Sequence, residues 1–68
     1  MKNTVINQQI QGFLSDPDMI ASLANISSVI YYGYSDLNWA GFYFVKGGQL
    51  IVGPFQGKPA CTPIPFTK

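Results

Sequence analysis

The sequence predicts an α+β chain in which two N-terminal helices are followed by one antiparallel β-hairpin and a Pro/Gly-rich extended tail. Three observations carry that expectation. Apolar residues recur at helical spacing as far as Tyr34, the composition then changes abruptly to aromatic and β-branched residues around a Gly-Gly pair, and four of the five prolines stand from Pro54 onward.

The first helix is expected over about residues 3–14. Ile6, Ile10, Phe13 and Leu14 fall at i, i+4, i+7 and i+8, which is one helical face, and the opposite face is Asn and Gln rather than charge. Gly12 weakens its last turn, and Ser15-Asp16-Pro17-Asp18 reads as a stop followed by a new start. Asp16 is the expected cap of a second helix over about 17–34, with Pro17 at its first position, where a missing N–H costs nothing. Asp18 would then lie in the positive first turn. Ile20, Leu23, Ala24, Ser27, Ile30, Tyr31 and Tyr34 form its apolar face. Asp16 and Asp18 thus serve a helix start rather than a catalytic carboxylate pair.

The hairpin is expected over about 39–54. Trp39-Ala40-Gly41-Phe42-Tyr43-Phe44-Val45 is a strand apolar on both faces, and Gly47-Gly48 suits a two-residue turn into Gln49-Leu50-Ile51-Val52-Gly53. That loop sets Lys46 opposite Gln49, Val45 opposite Leu50, Phe44 opposite Ile51 and Tyr43 opposite Val52. Pro54 is expected to end the pairing or mark an edge. The stretch Gly53-Pro54-Phe55-Gln56-Gly57-Lys58 lacks the Gly-Lys-Ser/Thr ending of a phosphate loop and is read as a turn.

Length and composition close off several classes of function. At 68 residues the chain holds at most one domain, of a size that buries only about 60% of its unfolded surface. One cysteine excludes an intrachain disulfide, and the absence of histidine excludes Cys/His zinc sites and Ser-His or Cys-His catalytic pairs. Four lysines against three aspartates leave a net charge of +1, with no basic stripe for nucleic acid. No apolar run approaches the ~20 residues of a membrane span, and the start lacks a signal-peptide pattern. Cytoplasmic localisation is therefore expected, with a reduced thiol. A two-stranded ribbon apolar on both faces needs cover on both sides and further strands. These elements are too few to supply that. The chain reads as the first portion of one larger α+β domain, or as a unit completed by a partner copy.

A resemblance sharpens this reading. Asn38-Trp39-Ala40-Gly41-Phe42-Tyr43, then Leu50 through Cys61, then Ile64-Pro65, resembles the free methionine-(R)-sulfoxide reductases, which are small GAF-domain enzymes. The resemblance implies residues 1–68 are the N-terminal part of a single, incomplete GAF domain with a pocket for free methionine sulfoxide. In that family a thiolate attacks the sulfoxide sulfur, water leaves, and a second cysteine closes a disulfide that thioredoxin reopens. No bound cofactor is implied; thioredoxin is the external reductant. Cys61 matches the resolving type of thiol, and Trp39 and Tyr43 match aromatic positions that line the substrate pocket. Family members carry a basic residue where this chain has Pro63, and further cysteines and acidic pocket residues beyond the Ile-Pro pair. The sequence through Lys68 has none of these, the attacking cysteine included. The expectation is a truncated reductase-like chain, inactive as 68 residues. The alternative is a non-catalytic GAF-like module that binds or forms a homodimer.

Each candidate also has an ordinary structural explanation. A free cysteine is often a small buried apolar residue, and Lys58, three residues earlier, is the only cation local to Cys61. Trp39 and Tyr43 lie four apart on one strand and so share a face with Gly41 between them. Residues alone favour two core aromatics; the resemblance favours a pocket wall in which Gly41 leaves room for a ligand. Tyr31, Tyr32 and Tyr34 are read as core and rim of the helix rather than a stacking platform for bases.

Overall fold

The structure is a computed structural model and describes residues 2–66; Met1, Thr67 and the terminal Lys68 lie outside the described residues. The element order is α1 (Lys2–Leu14), α2 (Met19–Gly33), β1 (Trp39–Lys46), β2 (Gln49–Gly57) and β3 (Ile64–Pro65). The strands form one antiparallel sheet in the order β1-β2-β3, with both helices before it in the chain and α2 packed across β1 and β2.

The junction between the helices corrects the expected cap. Asp18, not Asp16, is the N-cap of α2: its Oδ1 accepts from the Ala21 amide at 2.9 Å, and its carbonyl accepts the first helical bond from Ser22 at 3.0 Å. Asp16 is engaged elsewhere. Its amide closes the end of α1 by donating to the Phe13 carbonyl, and its Oδ1 accepts from the Asp18 amide at 2.8 Å. Asp16-Pro17 is thus the turn that aims Asp18 at the helix start, and α2 begins two residues later than the Pro17 rule implies.

The buried stripe of α2 includes Ser27, as expected, but otherwise differs from the expected one. Ser22, Ile26 and Ser27 are its buried residues, whereas Ile20 is 54% exposed. A helix with two neighbours buries a wider arc than one with a single neighbour. Ser22 and Ile26 lie on the stripe that continues to Gly33, where Ile6 of α1 packs, and the Ser22 hydroxyl donates to the Phe13 carbonyl at 2.5 Å. Ser27 faces the sheet, its hydroxyl donating to Leu23 O at 2.8 Å and to Pro54 O at 3.2 Å. Both buried hydroxyls therefore find carbonyl acceptors, which offsets the cost of their burial.

The hairpin register agrees with the sequence reading at all four expected pairs, from Lys46↔Gln49 to Tyr43↔Val52. Gly47 and Gly48 both hold positive φ, at 57° and 76°, as a two-residue turn matched to strand twist requires. Pro54 does not end the pairing. β2 runs on to Gly57 because a bulge absorbs the proline: between Gly41↔Phe55 and Tyr43↔Val52, β1 has the single residue Phe42 and β2 has Gly53 and Pro54. The stretch expected as a turn is therefore largely strand. The tail is not merely extended, since Ile64 and Pro65 pair with Leu50 and Gln49 to form β3.

Cover over the sheet is thin. Among the described residues the buried hydrophobic side chains are Ile6 and Ile26, and no residue of the three strands is fully buried. The molecule measures 42 × 30 × 16 Å, with a radius of gyration of 13.4 Å. A compact chain of this length has a radius near about 11 Å. Its accessible surface of 4982 Å² likewise exceeds the about 4,200 Å² of a compact monomer of this mass.

Candidate functional site

The bulge in β2 builds the site. Val52 and Phe55 are three residues apart, and in an unbroken strand they would point to opposite faces. The extra residue returns Phe55 to the face it shares with Trp39 and Tyr43. Trp39 stacks on Phe55 with ring centroids 5.5 Å apart and planes at 17°, and on Tyr43 at 6.0 Å and 28°. Trp39 and Tyr43 line an open cleft of about 810 Å³, and Phe55 supports Trp39 without lining the cleft itself.

The other sides come from distant parts of the chain. Tyr31 and Tyr32 stand at the end of α2, in an edge-to-face pair with centroids 5.0 Å apart, and the Gln56–Cys61 segment and Ile64 complete the lining. Cys61 is a free, exposed thiol at this rim. The Tyr43 hydroxyl donates to the Cys61 carbonyl at 2.9 Å, and the Val52 amide donates to Thr62 Oγ1 at 3.0 Å. Trp39, Tyr43 and Cys61, singled out separately in the sequence, therefore line one cleft. Lys58 lines it as well.

Gly41 does not provide ligand space. A Cβ there would run into the Phe55 Cβ and lie 2.9 Å from both Phe55 Cα and Pro54 O, so the glycine permits close approach of β2 at the bulge. The Trp39 Nε1 is buried and has no hydrogen-bond partner among the described residues, an arrangement that costs about 1–3 kcal/mol. Nothing in the sequence marks that atom, because indole burial depends on the stacked neighbours. Tyr31 is half-buried and Tyr32 75% exposed, in keeping with core and rim positions, and both line the cleft, which the sequence did not indicate. Three tyrosines near a helix end were visible; which of them face the cleft depends on how α2 crosses the sheet. Thr62 was missed because β3 had no sequence signal.

No group of three or more His, Cys, Asp or Glu side chains is placed to hold a metal ion among the described residues. No helix among them is long and apolar enough to cross a membrane.

Comparison with known proteins gives a consistent outcome. No family model matches the chain. Protein YtsP of Bacillus subtilis is 50% identical over 62 residues, covering 87% of this chain and 38% of its own length. The free methionine-R-sulfoxide reductase of Escherichia coli is 48% identical over 50 residues, covering 74% of this chain and 30% of its own. Among solved structures, the fRMsr of Staphylococcus aureus in complex with its substrate superposes with a TM-score of 0.82 at 36% identity, over 98% of this chain and 44% of its own. The substrate complex of the Neisseria meningitidis free methionine-R-sulfoxide reductase also gives 0.82 at 36% identity, over 96% of this chain and 40% of its own. The chain spans less than half the length of each of these relatives. By sequence and by fold the chain is similar to part of the GAF-domain free methionine-R-sulfoxide reductases.

Proposed function

We propose that the chain forms one wall of a cleft for free methionine-(R)-sulfoxide and does not turn that substrate over alone. The observation that carries this reading is the convergence of Trp39, Tyr43 and Cys61 on one cleft. Its aromatic side suits the small, largely apolar side chain of methionine sulfoxide. Similarity to reductases solved with substrate supports the same assignment.

The chemistry accounts for the missing turnover. Reducing a sulfoxide breaks the S–O bond, releases the oxygen as water and consumes two electrons and two protons, which two thiols supply as they join in a disulfide. The chain has one cysteine, so one copy cannot close the intrachain disulfide that completes this cycle. Cys61 would act as the resolving partner of a thiol held elsewhere, with thioredoxin as the reductant that reopens the disulfide.

Trp39 is the chain's one tryptophan, so its emission reports on the cleft. Titration with L-methionine-(R)-sulfoxide is expected to give a saturable emission change, and a thioredoxin-coupled assay is expected to show no steady turnover. Turnover at rates typical of whole reductases would overturn the inactive reading. An unchanged emission in a chain whose circular dichroism shows both helices would overturn the binding reading. The second reading, a non-catalytic module that associates with a second copy, is favoured by the thin cover over the sheet.

A further inference from the structure

The segment that carries Cys61 is pinned from two sides, and one pin is a side chain standing in for backbone. β3 pairs with β2 at Gln49↔Pro65 and Leu50↔Ile64. Continued in register, that ladder would bring Pro63 opposite Ile51 and Thr62 opposite Val52. The backbone pairing stops at Ile64, yet the Val52 amide still finds an acceptor at this register position in Thr62 Oγ1, at 3.0 Å. The ladder is thus extended through a hydroxyl, and the main chain at 61–62 is free to leave the sheet edge.

The second pin meets it from across the sheet. Tyr43 is the β1 partner of Val52, and its hydroxyl donates to the Cys61 carbonyl at 2.9 Å. Tyr43, Val52, Thr62 and Cys61 therefore close a ring that spans the sheet, with the exposed thiol just outside it. Farther along, the Phe66 amide donates to the Gly48 carbonyl at 3.2 Å, so the strap is also fastened beyond β3.

We propose that Thr62 is a positioning residue for the Cys61 thiol, acting through its hydroxyl on the Val52 amide together with the Tyr43 hydroxyl on the Cys61 carbonyl. The proposal deepens the functional reading above and rests on it for the thiol's role, whereas its geometric content is independent of reductase activity. A thiol that must meet a second sulfur gains from a backbone held on both sides, because a loosely held group spends most of its time out of reach.

The test uses the single cysteine as it stands. A nitroxide attached to Cys61 in the wild-type chain, Thr62→Ser, Thr62→Val and Tyr43→Phe reports local motion by electron paramagnetic resonance. Thr62→Ser is expected to keep the wild-type line shape, and Thr62→Val and Tyr43→Phe to narrow it. Amide exchange supplies a reading that needs no label. The Val52 amide should be protected in wild type and Thr62→Ser, and should exchange about ten-fold faster in Thr62→Val, the equivalent of one net hydrogen bond. An unprotected Val52 amide in the wild-type chain overturns the proposal even where Thr62→Val fails to fold. So does a Thr62→Val line shape that superimposes on wild type with helix content intact. Loss of sulfoxide binding with these results unchanged would count against the functional reading alone.

Discussion

Trp39 and Gly41 show how little room separates one residue from its neighbours at this site. The indole stacks on Tyr43 and on Phe55, and Gly41 is what lets Phe55 approach. Adding a single methyl at Gly41 drives it into the Phe55 Cβ and the Pro54 carbonyl, and neither belongs to a flexible side-chain end. Overpacking of that kind costs about 1–3 kcal/mol, a large share of the stability of a chain this small. Gly41→Ala is therefore expected to lower the urea midpoint sharply and to red-shift Trp39 emission, as loss of the stack exposes the indole to water. A denaturation curve that superimposes on wild type would show that the bulge can relax. The sequence made Gly41 visible as a small residue between two aromatics; what fills the space beside it depends on a bulge one strand away.

At the scale of elements, local chemistry was legible and its assignment to a particular residue was less so. Two aspartates flanking a proline announce a helix start, and propensity alone favours Asp16 with Pro17 at the first position. The structure gives the cap to Asp18, since the Asp16 amide is already used to end α1. Asp18→Ala should accordingly cost about 1 kcal/mol and reduce the helical circular dichroism signal, while Asp16→Ala should cost distinctly less. Equal losses from the two substitutions, measured by chemical denaturation, would contradict this division of roles. The hairpin was the best-read element, because a two-residue glycine loop leaves the strands one register. The same logic failed beyond Val52, where Gly53-Pro54 looks like an ending and is in fact a bulge inside a longer strand. β3 had no signal at all: two residues among prolines form a strand only because β2 offers an edge.

For the whole molecule, the governing fact is a sheet whose cover is thin. β1 has a partner along one side only among the described residues, and Val45 on it is 67% exposed. A long, apolar edge strand with unpaired backbone groups invites pairing with another chain. The excess of accessible surface over a compact monomer is of the order of one partner's share in a standard interface, about 800 Å². Sedimentation of the wild-type chain at increasing concentration is expected to show self-association, and Val45→Lys is expected to weaken it about ten-fold by placing a charge on the edge. A wild-type chain that sediments as a monomer throughout the micromolar range would show that the edge is protected.

What the sequence by itself determined was the class of the chain, its two helices, the register of its hairpin and the three residues that converge on the cleft. The class, the helices and the register follow from periodicity and turn chemistry, which are local in the chain, whereas Trp39, Tyr43 and Cys61 stood out through the resemblance carried by residues 38–43 and 50–61. Only the tertiary structure decided that Phe55 joins Trp39 and Tyr43, that Gly41 serves strand packing, that Tyr32 faces the cleft and that Thr62 anchors the strap beside the thiol. Each of these is a contact between segments far apart in sequence, produced by a bulge or a sheet edge. Such contacts depend on where neighbouring elements come to rest, and no spacing of residues along the chain encodes them directly.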